Sequence, residues 1–222
     1  MKSDTRFTYG EELANTISHG VATAFAITGL VLLVVFSAKY GTGRHVLSFT
    51  IFGATLTILY LSSTINHALK HGKTKDLFHN IDQIAIFLLI AGTYTPLALV
   101  ALKGDWGWTL FGLEWGLAIS GIVVKLFIPN KYENGVNIFY ILSYILMGWM
   151  LLFFLFPIFR NIPIMGIVFI FIGGICYTLG TIFYKLKRIP YTHLVWHLLV
   201  IAGSVCHWVA IMVYVLPLNT IS

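Results

Sequence analysis

The run HLVWHLLVIAGSVCHWVAIMVYVL, residues 193–216, decides the fold. It contains no Asp, Glu, Lys or Arg. At about 1.5 Å of rise per residue, a helix of this length crosses the roughly 30 Å hydrocarbon core of a bilayer. Six comparable runs precede it, near Thr16–Ala38, Val46–Leu69, Asp82–Leu102, Trp106–Ile128, Val136–Phe159 and Pro163–Tyr184. The connections between them are short. The chain therefore reads as an all-α membrane protein, a seven-transmembrane helix bundle, with residues 1–222 forming a single domain.

Composition points the same way. The 222 residues are 58% hydrophobic and 10% charged, where a soluble domain carries about 25% charged residues. The net charge of +6 is not gathered on a soluble face, so it implies no nucleic-acid partner. It is the lysine and arginine excess that orients spans. With the N-terminus inside, Lys2, Arg6, Lys70, Lys73, Lys75, Lys125, Lys131, Lys185, Lys187 and Arg188 face the cytoplasm, against Lys39, Arg44, Lys103 and Arg160 outside. That bias predicts a cytoplasmic N-terminus and an outside C-terminus, the reverse of a G-protein-coupled receptor. Residues 1–15 are polar and precede an apolar run without a small-residue cleavage site, so no removable signal is expected.

Cys176 and Cys206 lie inside apolar runs and are read as packing residues. Trp106, Trp108, Tyr132, Trp149, Tyr191 and Tyr214 fall near predicted interfaces. Gly112-x-x-x-Gly116 with Ser120 is a small-residue stripe expected to serve close helix contact.

The chemistry lies in the polar residues of the spans. His193 and His197 are four apart, so both imidazoles leave one helix face, about 40° and roughly 6 Å from each other. That is a spacing one metal ion accepts from adjacent turns. The second span ends Ser62-Ser63-Thr64-Ile65-Asn66-His67, and the third begins at Asp82. Given the predicted topology, His67, Asp82, His193 and His197 arrive at one depth near the cytoplasmic face. Three neutral imidazoles and a water form a catalytic zinc shell, so Zn2+ is the expected metal, with His67, His193 and His197 as ligands. Ser63 lies one turn before His67, placed to bond a ligand or the water. Asp82 is a candidate general base or water-orienting group, whose charge needs a cation or a histidine N–H beside it. Zinc would lower the pKa of its water to about 7, giving metal-bound hydroxide at neutral pH.

The remaining ionisable residues have plainer readings. His71 and His79 flank a basic loop, although His71, four after His67, is an alternative ligand. His45 is expected in an exposed loop. His19 is either an outer-sphere neighbour of the site or merely hydrogen-bonded. His207, ten residues beyond His197, is too deep for the same ion and reads as a core histidine. Glu114, in the outer half of the fourth span, must find a partner or a water cavity.

These residues give the chain a resemblance to the hemolysin III-related proteins, the bacterial branch of the progestin and adiponectin receptor superfamily. The matching stretches are Glu11-Glu12-Leu13-Ala14-Asn15 with Ser18-His19-Gly20, Ser63-Thr64-Ile65-Asn66-His67, Asp82-Gln83 through Ile90-Ala91-Gly92-Thr93-Tyr94-Thr95-Pro96, Trp106-Gly107-Trp108, and His193 through His197 with His207. The resemblance implies seven helices with the N-terminus in the cytoplasm. It implies a zinc ion held by one histidine of helix two and two of helix seven, at the positions of His67, His193 and His197. Ser63 and Asp82 match the family's serine and aspartate. Relation to transmembrane ceramidases implies hydrolysis of lipid amides, with a lipid or acyl chain in the bilayer as substrate.

Three functions follow as expectations. The first is a zinc-dependent hydrolase of lipid amides or esters in the inner (plasma) membrane, with Asp82 and Ser63 assisting catalysis. The second, carried by the family name, is a membrane-lytic, pore-forming protein. The third is a sensor of membrane state in which zinc only staples helices two and seven.

Overall fold

The computed structural model describes residues 7–127, 133–186 and 189–218, with side chains from residue 138 onward in the second block. Lys2, Arg6, Ile128, Lys131, Tyr132, Lys187 and Arg188 of the sequence reading lie outside the described residues.

The first helix, α1 (Tyr9–Tyr40), starts at a capping box. Thr8 Oγ1 accepts from the Glu11 N–H at 3.3 Å, and the Thr8 N–H donates back to Glu11 Oε2 at 2.9 Å. This satisfies free donors of the first turn. Then follow α2 (Gly43–Ala68), α3 (Lys73–Pro96, continued by a wide π turn over Leu97–Leu102) and α4 (Gly104–Phe127). The fifth span comprises α5 (Glu133–Gly148), a tight 3-10 turn (Met150–Phe154) and α6 (Leu155–Asn161). α7 (Ile164–Lys185) and α8 (Thr192–Val209, with a π turn over Ala210–Val215) complete the order. Seven of these segments are long and apolar enough to cross a membrane.

The burial pattern suits lipid. α1 turns Phe25, Val31 and Val35 outward and buries Asn15, His19 and Thr23. Outward apolar and inward polar side chains are costly in water and favourable in a bilayer, where each polar group must be satisfied internally. Consecutive helices pack as neighbours, and α8 closes the bundle against α1. α3 is central, with 72% of its apolar window buried against 22% for α1 and α4. α1 and α2 approach closely at Gly53, where a Cβ would lie 2.6 Å from Leu30 Cδ1.

The expected spans are all present, but α1 and α3 begin earlier than the apolar runs, at Tyr9 and Lys73. Hydropathy marks only the part in hydrocarbon. The polar first turns of both helices continue beyond it and carry Glu11, Glu12 and Lys75 to the site.

The break in the fifth span is patched from α3. The Tyr94 hydroxyl donates to Gly148 O at 2.8 Å and accepts from the Leu151 N–H at 3.1 Å. Two backbone groups freed by the break are thus satisfied by one buried side chain. Trp149 is turned inward rather than held at an interface, its Nε1 donating to Thr178 Oγ1 at 3.0 Å.

Two further expectations fail. Gly112, Gly116 and Ser120 face outward, with nothing within 4 Å of a Cβ at either glycine. α4 instead buries Gly107, Leu110, Glu114, Ala118 and Gly121 against the bundle. His45 is not exposed. It is buried in the first turn of α2, where Nδ1 accepts from the Thr42 N–H at 3.0 Å and Nε2 donates to Leu218 O at 2.8 Å.

Candidate metal centre

α2 ends, and α8 begins, at the same end of the bundle, and their histidines meet there. The ring centroids of His67 lie 5.1 Å from His193 and 5.0 Å from His197, and those of His193 and His197 are 4.7 Å apart. Each residue offers one nitrogen, all within 4.8 Å of one another. Tetrahedral zinc with bonds of about 2.1 Å wants ligand nitrogens roughly 3.4 Å apart, so the three rings would draw together to share one ion. His67 and His197 are buried and His193 is half-buried.

The hydrogen bonds select the ligating atoms. His67 Nδ1 lies 2.6 Å from Glu12 Oε2, so Nδ1 carries the proton and donates it. His67 Nε2 is buried without a hydrogen-bond partner. A lone pair in that position fits a metal. Ser18 Oγ donates to Asn15 O at 2.9 Å, so it accepts from His197 Nδ1 at 3.1 Å, which puts the proton of that ring on Nδ1 and the lone pair on Nε2. The three histidines therefore fit a cation on donor chemistry, and His67 and His197 fit it on tautomer as well. The sequence alone assigns neither Glu12 nor Ser18 a role at the site. Their spacing on one face of α1, with Asn15 between them, was the available signal.

Asp82 joins the same pocket without joining the histidines. Its Oδ2 accepts from Asn66 Nδ2 at 3.3 Å, and Ser63 also hydrogen-bonds the carboxylate. Two neutral groups of α2, three residues apart on the turn facing α3, thus hold the carboxylate. Ser63 bonds Asp82 rather than an imidazole.

The other histidines separate clearly. His71 is exposed. His79 pairs with Gln83, their Nε2 atoms 3.1 Å apart. His207 donates through Nε2 to Ile170 O at 3.0 Å in the bundle core. His19 stacks on His197, and neither of its ring nitrogens has a hydrogen-bond partner. Glu114 is fully buried, and neither carboxylate oxygen has a hydrogen-bond partner among the described residues. Cys176 and Cys206 are free thiols.

A cavity of about 180 Å3 runs inward from the cluster. Its wall includes His67, Asp82 and His193 at one end and Leu97, His207 and Ile211 at the other. From His193 to Ile211 along α8 is about 27 Å at helical rise. Phe7 stands at the cluster end, its ring centroid 4.8 Å from that of His193 and 5.9 Å from that of His67.

Comparison with known proteins agrees over nearly the whole chain. The family described as Haemolysin-III related matches residues 7–208. A Hemolysin-3 homolog of Bacillus subtilis (strain 168) is 43% identical over 211 residues, covering 94% of this chain and 96% of the relative. Hemolysin-3 of Bacillus cereus is 40% identical over 207 residues, 93% of each. The human monocyte to macrophage differentiation factor is 27% identical over 210 residues, covering 92% of this chain and 84% of that protein.

Proposed function

The chain belongs to the haemolysin-III related family, and on that premise we propose that it is a multi-pass plasma-membrane hydrolase of lipid amides or esters. His67, His193 and His197 hold a zinc ion at the cytoplasmic end of the bundle, the side assigned by the lysine and arginine bias. The observation that carries the reading is the junction of a three-histidine cluster with a lipid-length cavity. Three protein ligands leave a fourth position for water, as catalytic zinc sites do, whereas a purely structural site is closed by four.

Zinc bound there supplies a Lewis acid and an acidified water. The chain does the rest. The cavity takes the acyl chain and brings the carbonyl to the histidines at the boundary. Asp82 orients the attacking water and accepts its proton, then returns a proton to the leaving amine or alcohol. Ser63 and Asn66 fix the carboxylate for that exchange. Apolar walls keep bulk water from the reacting carbonyl.

Purified protein loaded with zinc and given a panel of long-chain acyl amides and esters is expected to release fatty acid, and a chelator to stop the release. A zinc-loaded sample that turns over none of them contradicts the proposal. The names of the two bacterial relatives favour a second reading, membrane lysis. Purified protein would then leak dye from vesicles, with a size cutoff. Leakage that persists in His67→Ala would separate it from the metal site.

A further inference from the structure

We propose that Glu12 is the positioning residue that makes His67 a strong metal donor, and that Lys75 holds the carboxylate in place. This rests on the reading that the three histidines take one ion.

The geometry is that of a carboxylate–histidine–metal relay. The Glu12 Oε2 to His67 Nδ1 bond, at 2.6 Å, is short and charge-assisted. It fixes the proton on Nδ1, leaves the lone pair on Nε2, and makes Nε2 more electron-rich. His67 Nε2 has no competing hydrogen bond. A second, independent contact explains why the carboxylate stays. Glu12 Oε1 lies 2.9 Å from Lys75 Nζ. The same ammonium donates to Asn66 O at 2.8 Å and Leu69 O at 3.1 Å. Those carbonyls belong to the last turn of α2, the helix that carries His67. A carboxylate alone at a helix C-terminus is disfavoured by the helix dipole. Lys75 offsets that charge and ties α1 and α3 to the turn behind the ligand. The adjacent Glu11 accepts from the Tyr191 N–H at 2.9 Å, two residues before His193. The acid pair that opens α1 thus reaches both ligand-bearing helices.

The test measures Zn2+ affinity on the full chain in detergent, by competition with a chromophoric chelator, beside the unfolding midpoint of the metal-free protein. Glu12→Gln is expected to bind Zn2+ about 10- to 100-fold more weakly, with the metal-free midpoint unchanged. Glu12→Asp keeps the charge but is one carbon shorter, and is expected to retain more affinity than Glu12→Gln. A role in packing alone would reverse that order, because Gln preserves the size. Lys75→Met is expected to cost about two- to fivefold in affinity, the scale of one partly exposed ion pair. Wild-type affinity in Glu12→Gln overturns the proposal and leaves the metal site standing. Wild type that binds no more tightly than His67→Ala overturns the metal reading, and this proposal with it. If Glu12→Gln does not fold, unchanged affinity in both Glu12→Asp and Lys75→Met overturns it.

Discussion

The imidazole of His19 lies face to face with that of His197, ring centroids 3.5 Å apart and planes 9° from parallel. Tyr60 meets the outer part of the same stack edge-on, at 5.1 Å from His19. His19 thereby sets the plane of a ring of the histidine cluster without offering it a hydrogen bond. Aromatic pairs of this kind contribute about 0.5–1.5 kcal/mol, which corresponds to roughly 2- to 12-fold in an equilibrium constant. His19→Ala is expected to weaken Zn2+ binding by that factor, whereas His19→Phe keeps the stack and binds nearly as wild type. Chelator competition on the two variants checks the order, and equal loss in both would mean that a nitrogen of His19 is used.

Asp82 is bonded by Asn66 and Ser63 but lies outside the histidine triad. Asp82→Asn preserves an acceptor for both neighbours and removes the proton acceptor. It is expected to keep full metal content and to lose about 10²- to 10⁴-fold in turnover of an acyl amide. Metal loss in this variant would make Asp82 a ligand instead.

The seven spans were legible because lipid-facing side chains must be apolar, and hydropathy reads that directly. The convergence of His67, His193 and His197 was legible because equal depth on neighbouring helices follows from span boundaries alone. Glu12 and Ser18 were not assigned, because their roles depend on how α1 is rotated against α2 and α8. The burial of His45 is invisible in its local sequence because the chain that covers it, at Leu218, lies 173 residues away. The broken fifth span was read as one helix because its repair comes from Tyr94, 54 residues before Gly148.

That repair is measurable. Tyr94→Phe removes one hydroxyl and leaves the Gly148 carbonyl and the Leu151 N–H unpaired in an apolar setting. The expected destabilisation is on the order of 2–4 kcal/mol, read as a lowered unfolding midpoint in detergent. A midpoint equal to wild type would mean that the break satisfies itself.

Glu114 presents the opposite case. Its carboxyl group is fully buried on α4 with no hydrogen-bond partner among the described residues, a burial that costs about 1–3 kcal/mol on mutational scales. Glu114→Leu is expected to raise the unfolding midpoint and leave metal content unchanged. A lowered midpoint would reveal a partner for the carboxyl.

The most direct measurement is the metal content of the purified chain beside that of His193→Ala, by elemental mass spectrometry after equal washing. One zinc per wild-type chain and almost none in the variant is the predicted result. Equal content in the two proteins, or none in wild type offered excess Zn2+, would contradict a shared ion at His67, His193 and His197.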